Sequence, residues 1–244
     1  MTIGVLVITY NEEEMVRDCL ESVTWADEIV VIDSNSEDDT RKIVSEYTDK
    51  LYKREFDNFS NQRNFGLEKL KSDWILVLDA DERVTKELKI EIKEVLSDAS
   101  YELYQVPIKN FFLGKWIKYA GWHPDYTDRL FRNNQEIKYE GEVHENPVFA
   151  DEKGIINEPI VHYTYKDISS YMDKVNHYTT LAAAESNKKP SLLYVFARTF
   201  FEFFDFLIFK KSFLLGKEGL VLTAISTIAK FLKYIKIWEK NRNN

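Results

Sequence analysis

The chain has 244 residues with 33 Lys and Arg against 41 Asp and Glu, a formal net charge of −8, and 44% hydrophobic and 14% aromatic content. That composition supports a buried core and excludes a disordered chain, and the length suits one domain or one domain with an appendage. A lone Cys19 excludes an internal disulfide and any multi-cysteine metal site, and fits a reducing, intracellular setting.

Met1 to Gly4 lead straight into an apolar run, with no basic region or cleavage site of the kind that marks an export signal. Ile3 to Thr9 (IGVLVIT) and Glu28 to Asp33 (EIVVID) read as strands. Each precedes helical spacing, in Met15, Val16, Leu20 and Val23 and then in Ile43, Val44 and Tyr47. The alternation continues with a strand at Leu51 to Arg54, a helix from Ser60 to Leu70, the strand Trp74 to Leu78 (WILVL) and a helix from Thr85 to Leu96. Four such units predict an α/β fold: a Rossmann-like, mostly parallel sheet with helices on both faces. Between Ala99 and Ile168 the alternation lapses into aromatic-rich, strand-like pieces such as Tyr101 to Ile108 and Arg129 to Arg132.

In such sheets ligands bind beyond the carboxyl ends of the strands. Here those ends are polar: Thr9, Tyr10, Asn11 and Glu12; then Asp33, Ser34, Asn35 and Ser36; then Asp79, Ala80, Asp81 and Glu82. Any one of these is an ordinary turn residue or helix cap. An Asp-x-Asp directly after a buried apolar strand sets the group apart.

Residues 5–65 contain no glycine, so neither a dinucleotide G-x-G-x-x-G turn nor a Walker A loop exists there. The lone cysteine, the lack of G-x-S-x-G and Pro147 close after His144 and Glu145 argue against thiol, serine-elbow and H-E-x-x-H enzymes. Carboxylate-held metal chemistry remains. Asp79 and Asp81 offer the hard oxygen ligands that Mg²⁺ or Mn²⁺ prefers, and such a cation would neutralise a diphosphate leaving group. Arg63, within SNQRN, supplies a complementary fork.

These residues carry a family resemblance. ITYNEE (Ile8 to Glu13), VIDSNSEDDT (Val31 to Thr40), NQRNFG (Asn61 to Gly66) and LDADE (Leu78 to Glu82) resemble, in order and spacing, the successive donor-site motifs of family 2 glycosyltransferases of GT-A fold. DRLFR (Asp128 to Arg132) and YEGEVHE (Tyr139 to Glu145) are similar to those of bacterial lipopolysaccharide-core β-1,4-glucosyltransferases. The resemblance implies a UDP-sugar donor, with Thr9, Asn11, Glu12 and Asp33 around base and ribose, Arg63 nearby, Asp79 at the ribose and Asp81 on the metal. It also implies inversion in a single displacement, with one carboxylate taking the acceptor proton. Glu145, Glu142 and Asp128 are the candidates for that base. Glu145 is preferred because His144 beside it offers a second metal ligand. His162 is either a further metal or phosphate contact or a core histidine, and Trp116, Trp122 and Tyr126 are either an acceptor platform or packing. The rivals are a nucleotidyltransferase and a nucleotide-sugar-binding membrane scaffold without turnover.

The catalytic domain is expected over residues 1–185 and a basic tail over 186–244, joined at Ser186 to Pro190. From Ser186 to Asn244 eleven Lys and Arg stand against four Asp and Glu, which is +7 and leaves −15 for residues 1–185. A body so acidic repels nucleic acid. Leu192 to Phe209 holds fourteen apolar residues out of eighteen, with Arg198, Glu202 and Asp205 on one narrow stripe. Leu220 to Trp238 repeats the design, with Thr223, Ser226, Thr227, Lys230 and Lys233 on one side. Two amphipathic helices flanked by lysines suit an anionic membrane surface or, alternatively, packing in a homo-oligomer. A lipid-linked saccharide acceptor, met at the cytoplasmic face of the membrane, fits that placement.

Overall fold

The computed structural model describes residues 1–134, 137–141, 146–147, 152–165 and 167–242. In chain order the strands are β1 (Ile3–Thr9), β2 (Glu28–Asp33), β3 (Leu51–Lys53), β4 (Trp74–Asp79), β5 (Glu82–Val84), β6 (Leu103–Phe112), β7 (Lys115–Trp116), β8 (Tyr126–Arg132), β9 (Tyr139–Glu140), β10 (Asn146–Pro147), β11 (Gly154–Ile155) and β12 (Ile160–Tyr165). The helices are α1 (Val16–Ser22), α2 (Thr40–Val44), α3 (Phe59–Leu67), α4 (Lys86–Ser97), α5 (Ile168–Glu185), α6 (Leu192–Phe204) and α7 (Lys217–Arg242). Residues 1–109 with 125–162 form one compact unit, and 110–124 with 163–244 form another.

In the first unit β1 lies between β2 and β4, parallel to both, in a register that pairs Thr9 with Asp33 and Ile8 with Asp79. β3 adds to β2, also parallel. Beyond β4 the direction reverses: β8 runs antiparallel to β4, and β6 antiparallel to β8 with a bulge at Tyr104/Gln105. The two faces follow the two-residue period of the strands. Val5, Val7, Val31, Leu76 and Leu78 pack with Val16 and Leu20 of α1 and Leu88 and Ile92 of α4. Leu6, Ile8, Val30, Ile32, Ile75 and Val77 pack on the other face with Phe65 and Leu67 of α3. The expected α/β sheet, mostly parallel and covered on both faces, is therefore present. Gly66 lets α3 approach closely, since a Cβ there would sit 2.3 Å from Leu6 Cδ1 and 3.1 Å from Ile32 Cγ1.

In the second unit α5 is capped by Asp167, whose side chain accepts from the Ser170 amide at 2.7 Å. α6 ends at Phe204, passes into a π-helical turn over Asp205–Phe209, and a 3₁₀ turn over Ser212–Leu215 leads into the 26-residue α7. The C-terminal helices expected from sequence are present, although α7 begins three residues earlier than Leu220 and α5 precedes them. Phe112, Val175, Phe206, Leu215, Leu222 and Ile225 form one core here, and Ala183, Val195, Tyr234 and Ile237 a second. Among the described residues no helix is long and apolar enough to cross a membrane.

Candidate functional site

The register of β1, β2 and β4 brings three polar strand ends to one edge of the sheet. Thr9 closes β1 and is buried, and its hydroxyl finds no hydrogen-bond partner among the described residues. Asn11 follows in the left-handed region (φ 52°), which its short polar side chain tolerates. Its amide donates to Ser36 Oγ at 2.9 Å, and its Oδ1 accepts from the Glu37 amide at 2.8 Å. The Glu12 amide donates to Thr40 Oγ1 at 2.8 Å, and Glu13 Oε2 accepts from the Asp39 amide at 2.9 Å. The loops after β1 and β2 are thus latched to each other. Asp33, fully buried, accepts from the Ser36 amide at 3.0 Å and from the Ser36 hydroxyl, with Arg41 Nε 3.8 Å away.

Asp79 ends β4 between two guanidinium groups. Arg63 of α3 donates to its Oδ1 at 2.8 Å, and Arg129 of β8 to its Oδ2 at 3.3 Å. Burial alone would raise this carboxyl, but the two arginines outweigh it and hold it far below the usual carboxylate range. Arg129 also donates to Glu82 Oε1 at 2.7 Å, while Glu82 Oε2 accepts from the Asp79 amide at 2.8 Å. Burial, only partly offset by Arg129, pushes the Glu82 carboxyl up to about 7. Two acids and two arginines therefore form a nearly balanced cluster, buried at Glu82 and Arg63 and half-buried at Asp79. Arg63 also lies 5.8 Å from the ring centroid of Phe59 and 5.5 Å from that of Tyr139.

Asp81 is apart from this cluster and partly exposed, with Oδ2 3.2 Å from His162 Nε2. Strand pairing accounts for the meeting, because β12 aligns His162 opposite Glu82. Burial acts to lower the His162 pKa, but the Asp81 carboxylate overrides it and raises it. The loop between β4 and β5 is tied to α1 by Arg83, which donates to the carbonyls of Ala80 at 3.0 Å and Met15 at 2.6 Å.

The remaining candidates fall differently. Asp128 is buried with both oxygens engaged, Oδ1 by Gln105 at 2.9 Å and Oδ2 by Lys153 at 2.7 Å. Glu142, His144 and Glu145 lie outside the described residues. The chain that enters that segment is fixed to α3: Asn64 exchanges hydrogen bonds with the Tyr139 backbone at 3.0 and 2.8 Å, and Ser60 Oγ donates to the Gly141 carbonyl at 2.5 Å. Trp122 packs edge-on against Phe112, Trp116 sits under Lys118 at 4.2 Å, and Tyr126 is exposed. Sequence reading gave no role to Arg129 or Tyr139, and named Ser36 only as a polar strand-end residue. The DRLFR motif held Arg129 in view, but its partner acids lie some fifty residues away across an antiparallel pairing.

Residues 4–150 match glycosyl transferase family 2. An uncharacterized glycosyltransferase of Rickettsia bellii is 28% identical over 97% of this chain and 86% of its own. The SPbeta prophage-derived glycosyltransferase SunS of Bacillus subtilis is 34% identical over 60% of this chain and 35% of its own. Among solved structures, that of S. aureus TarS 1–349 in complex with UDP-GlcNAc superimposes with a TM-score of 0.53 at 14% identity, covering 100% of this chain and 92% of that one. At that identity the likeness concerns the fold, the GT-A-like arrangement of sheet and helices. With the family match spanning more than half its length, the chain belongs to glycosyl transferase family 2.

Proposed function

We propose that the protein is an inverting, metal-dependent glycosyltransferase that moves a hexose, glucose by its motifs, from a UDP-sugar to a hydroxyl of a lipid-linked saccharide in cell-envelope glycan synthesis. The observation that carries this reading is the single sheet edge at which Thr9, Asp33, Asp79 and Arg63 converge. The TarS complexes with UDP-GlcNAc and with UDP support a uridine donor on this fold.

In this reading Thr9, Asn11, Glu12 and Asp33 surround base and ribose, Asp79 meets the ribose and Arg63 stands beside it. The orphaned Thr9 hydroxyl is a polar atom in want of a ligand. Asp81 and His162 provide a carboxylate oxygen and an imidazole nitrogen side by side, a donor set that fits Mn²⁺ or Mg²⁺ when substrate phosphates complete it. Among the described residues no cluster of three such ligands occurs, and His144 is proposed as the further one. A divalent cation held there would neutralise the diphosphate as it leaves. Glu145 takes the proton of the acceptor hydroxyl as its oxygen bonds to the anomeric carbon and the bond to the diphosphate breaks, with Glu142 as alternate. Asp128 could serve only by giving up Lys153. Residues 1–185 carry this chemistry, and 186–244 meet the inner face of the cell membrane or a second subunit.

Purified protein with Mn²⁺ is expected to release UDP from at least one UDP-sugar of a donor panel, and Asp81→Ala to abolish the release. No release from any donor overturns the activity, and full activity in Asp81→Ala overturns the metal role.

A further inference from the structure

Helix α6 is built inside out. Leu193, Phe196 and Phe200 share one face with Phe204, and the first three are 80%, 59% and 68% exposed. The polar stripe points inward: Glu202 is only 6% exposed, accepts from Ser226 Oγ at 3.2 Å and pairs with Lys230 at 3.0 Å. The polar side of α7 expected from sequence therefore faces α6, and the apolar side of α6 faces out. The exposed apolar run continues beyond the helix through Ile208, Phe209, Phe213 and Leu214 to Leu220. So many exposed large apolar side chains within one stretch mark an interaction surface.

The charges around it carry one sign. Of the acids in this stretch, Glu202 is buried, Asp205 pairs with Lys210 at 3.5 Å and Glu218 with Lys115 at 3.0 Å. Lys188, Lys189, Lys211 and Lys217 bracket the run and are exposed, and none of them has a carboxylate partner among the described residues. Aromatic side chains between unpaired lysines match the boundary of an anionic bilayer, where rings enter the acyl edge and ammonium groups reach the phosphates. At 13 residues α6 is about 20 Å long, short of the roughly 30 Å hydrocarbon core, so it would lie in the surface plane rather than cross it. Beyond its first turn α7 turns apolar side chains inward, since Leu222, Ile225, Tyr234 and Ile237 are buried. A second copy meeting this face head-on would set like-charged lysines against each other.

We propose that Leu192–Leu220, which takes in the first turn of α7 but not the rest of that helix, is the membrane-contact surface, and that its occupant is an anionic lipid bilayer. This sharpens the reading of a lipid-linked acceptor and rests on it for its purpose, though not for its chemistry. The test is sedimentation of the full chain with vesicles of phosphatidylglycerol and phosphatidylcholine, and with vesicles of phosphatidylcholine alone. Wild type is expected to sediment with the first and at least about tenfold less with the second. Phe196→Ser with Phe200→Ser, and separately Lys211→Glu with Lys217→Glu, should each lose about tenfold or more in binding. All four residues are exposed, so folding is expected to survive, as circular dichroism and release of UDP from donor in solution would report. Wild-type sedimentation by both variants overturns the proposal, as does absence of wild-type binding. It is also overturned if light scattering finds a dimer that the Phe196→Ser, Phe200→Ser protein breaks without any lipid dependence. Vesicle binding without UDP release from any donor would instead sink the glycosyltransferase reading and leave the surface standing.

Discussion

Arg129 donates to Glu82 at 2.7 Å with both groups almost wholly withdrawn from water, and the same guanidinium reaches Asp79 at 3.3 Å. Removing the arginine leaves buried Glu82 and half-buried Asp79 with one cation between them. Arg129→Met is expected to cost about 3–5 kcal/mol in urea unfolding, whereas adding Glu82→Gln should recover part of that loss because the pair is coupled. Simple additivity of the two changes would show that the cluster is not a unit.

Thr9 gives the opposite case. Its buried hydroxyl has no partner among the described residues, so Thr9→Val should leave the thermal midpoint unchanged or raise it. If the hydroxyl faces the nucleotide, UDP affinity measured by calorimetry should fall by up to about tenfold. Unaltered UDP affinity would remove Thr9 from the donor site.

Gly66→Ala tests the approach of α3 to the sheet. A methyl group 2.3 Å from Leu6 Cδ1 must displace a core side chain, at about 1–3 kcal/mol. Because Arg63 rides on the same helix, donor KM should rise as well.

Glu28 sets a pH dependence. Burial would raise its carboxyl, but Lys50, the amides of Lys71 and Ser72 and the Ser72 hydroxyl bring it down to about 2. A depressed folded-state pKa adds stability above the ordinary carboxylate value of 4.5, and that stability drains away as pH falls toward about 2. Glu28→Gln should therefore lower stability at neutral pH and flatten its decline across that acid range, read from denaturation at stepped pH.

His162→Gln bears on the proposed cation. Titration calorimetry with Mn²⁺ and UDP should show weaker metal uptake, while UDP binding without metal stays as in wild type. Equal metal affinity in the variant would return His162 to a packing role.

The parallel core and its polar edge were legible because strands buried on both faces are written as continuous apolar runs, and each run stops at acids and hydroxyls. The antiparallel half was not, since Asp79, Glu82 and Arg129 meet through a pairing that no local period encodes. α5 escaped notice for a different reason. Its buried positions are Val175, Thr179 and Ala183, too small and polar to make a visible stripe. In α6 the sequence displayed two faces clearly, but periodicity does not say which one turns inward, and Glu202 with Lys230 reversed the usual answer.

The interlocked loops after β1 and β2 have a thermodynamic corollary. Asn11, Glu12 and Glu13 on one side hold Ser36, Glu37, Asp39 and Thr40 on the other, so both turns are immobilised during folding and not at nucleotide arrival. They should behave as one rigid plate: a change on either side should loosen the grip of its neighbour, and a bound nucleotide should protect the amides of both from hydrogen exchange together.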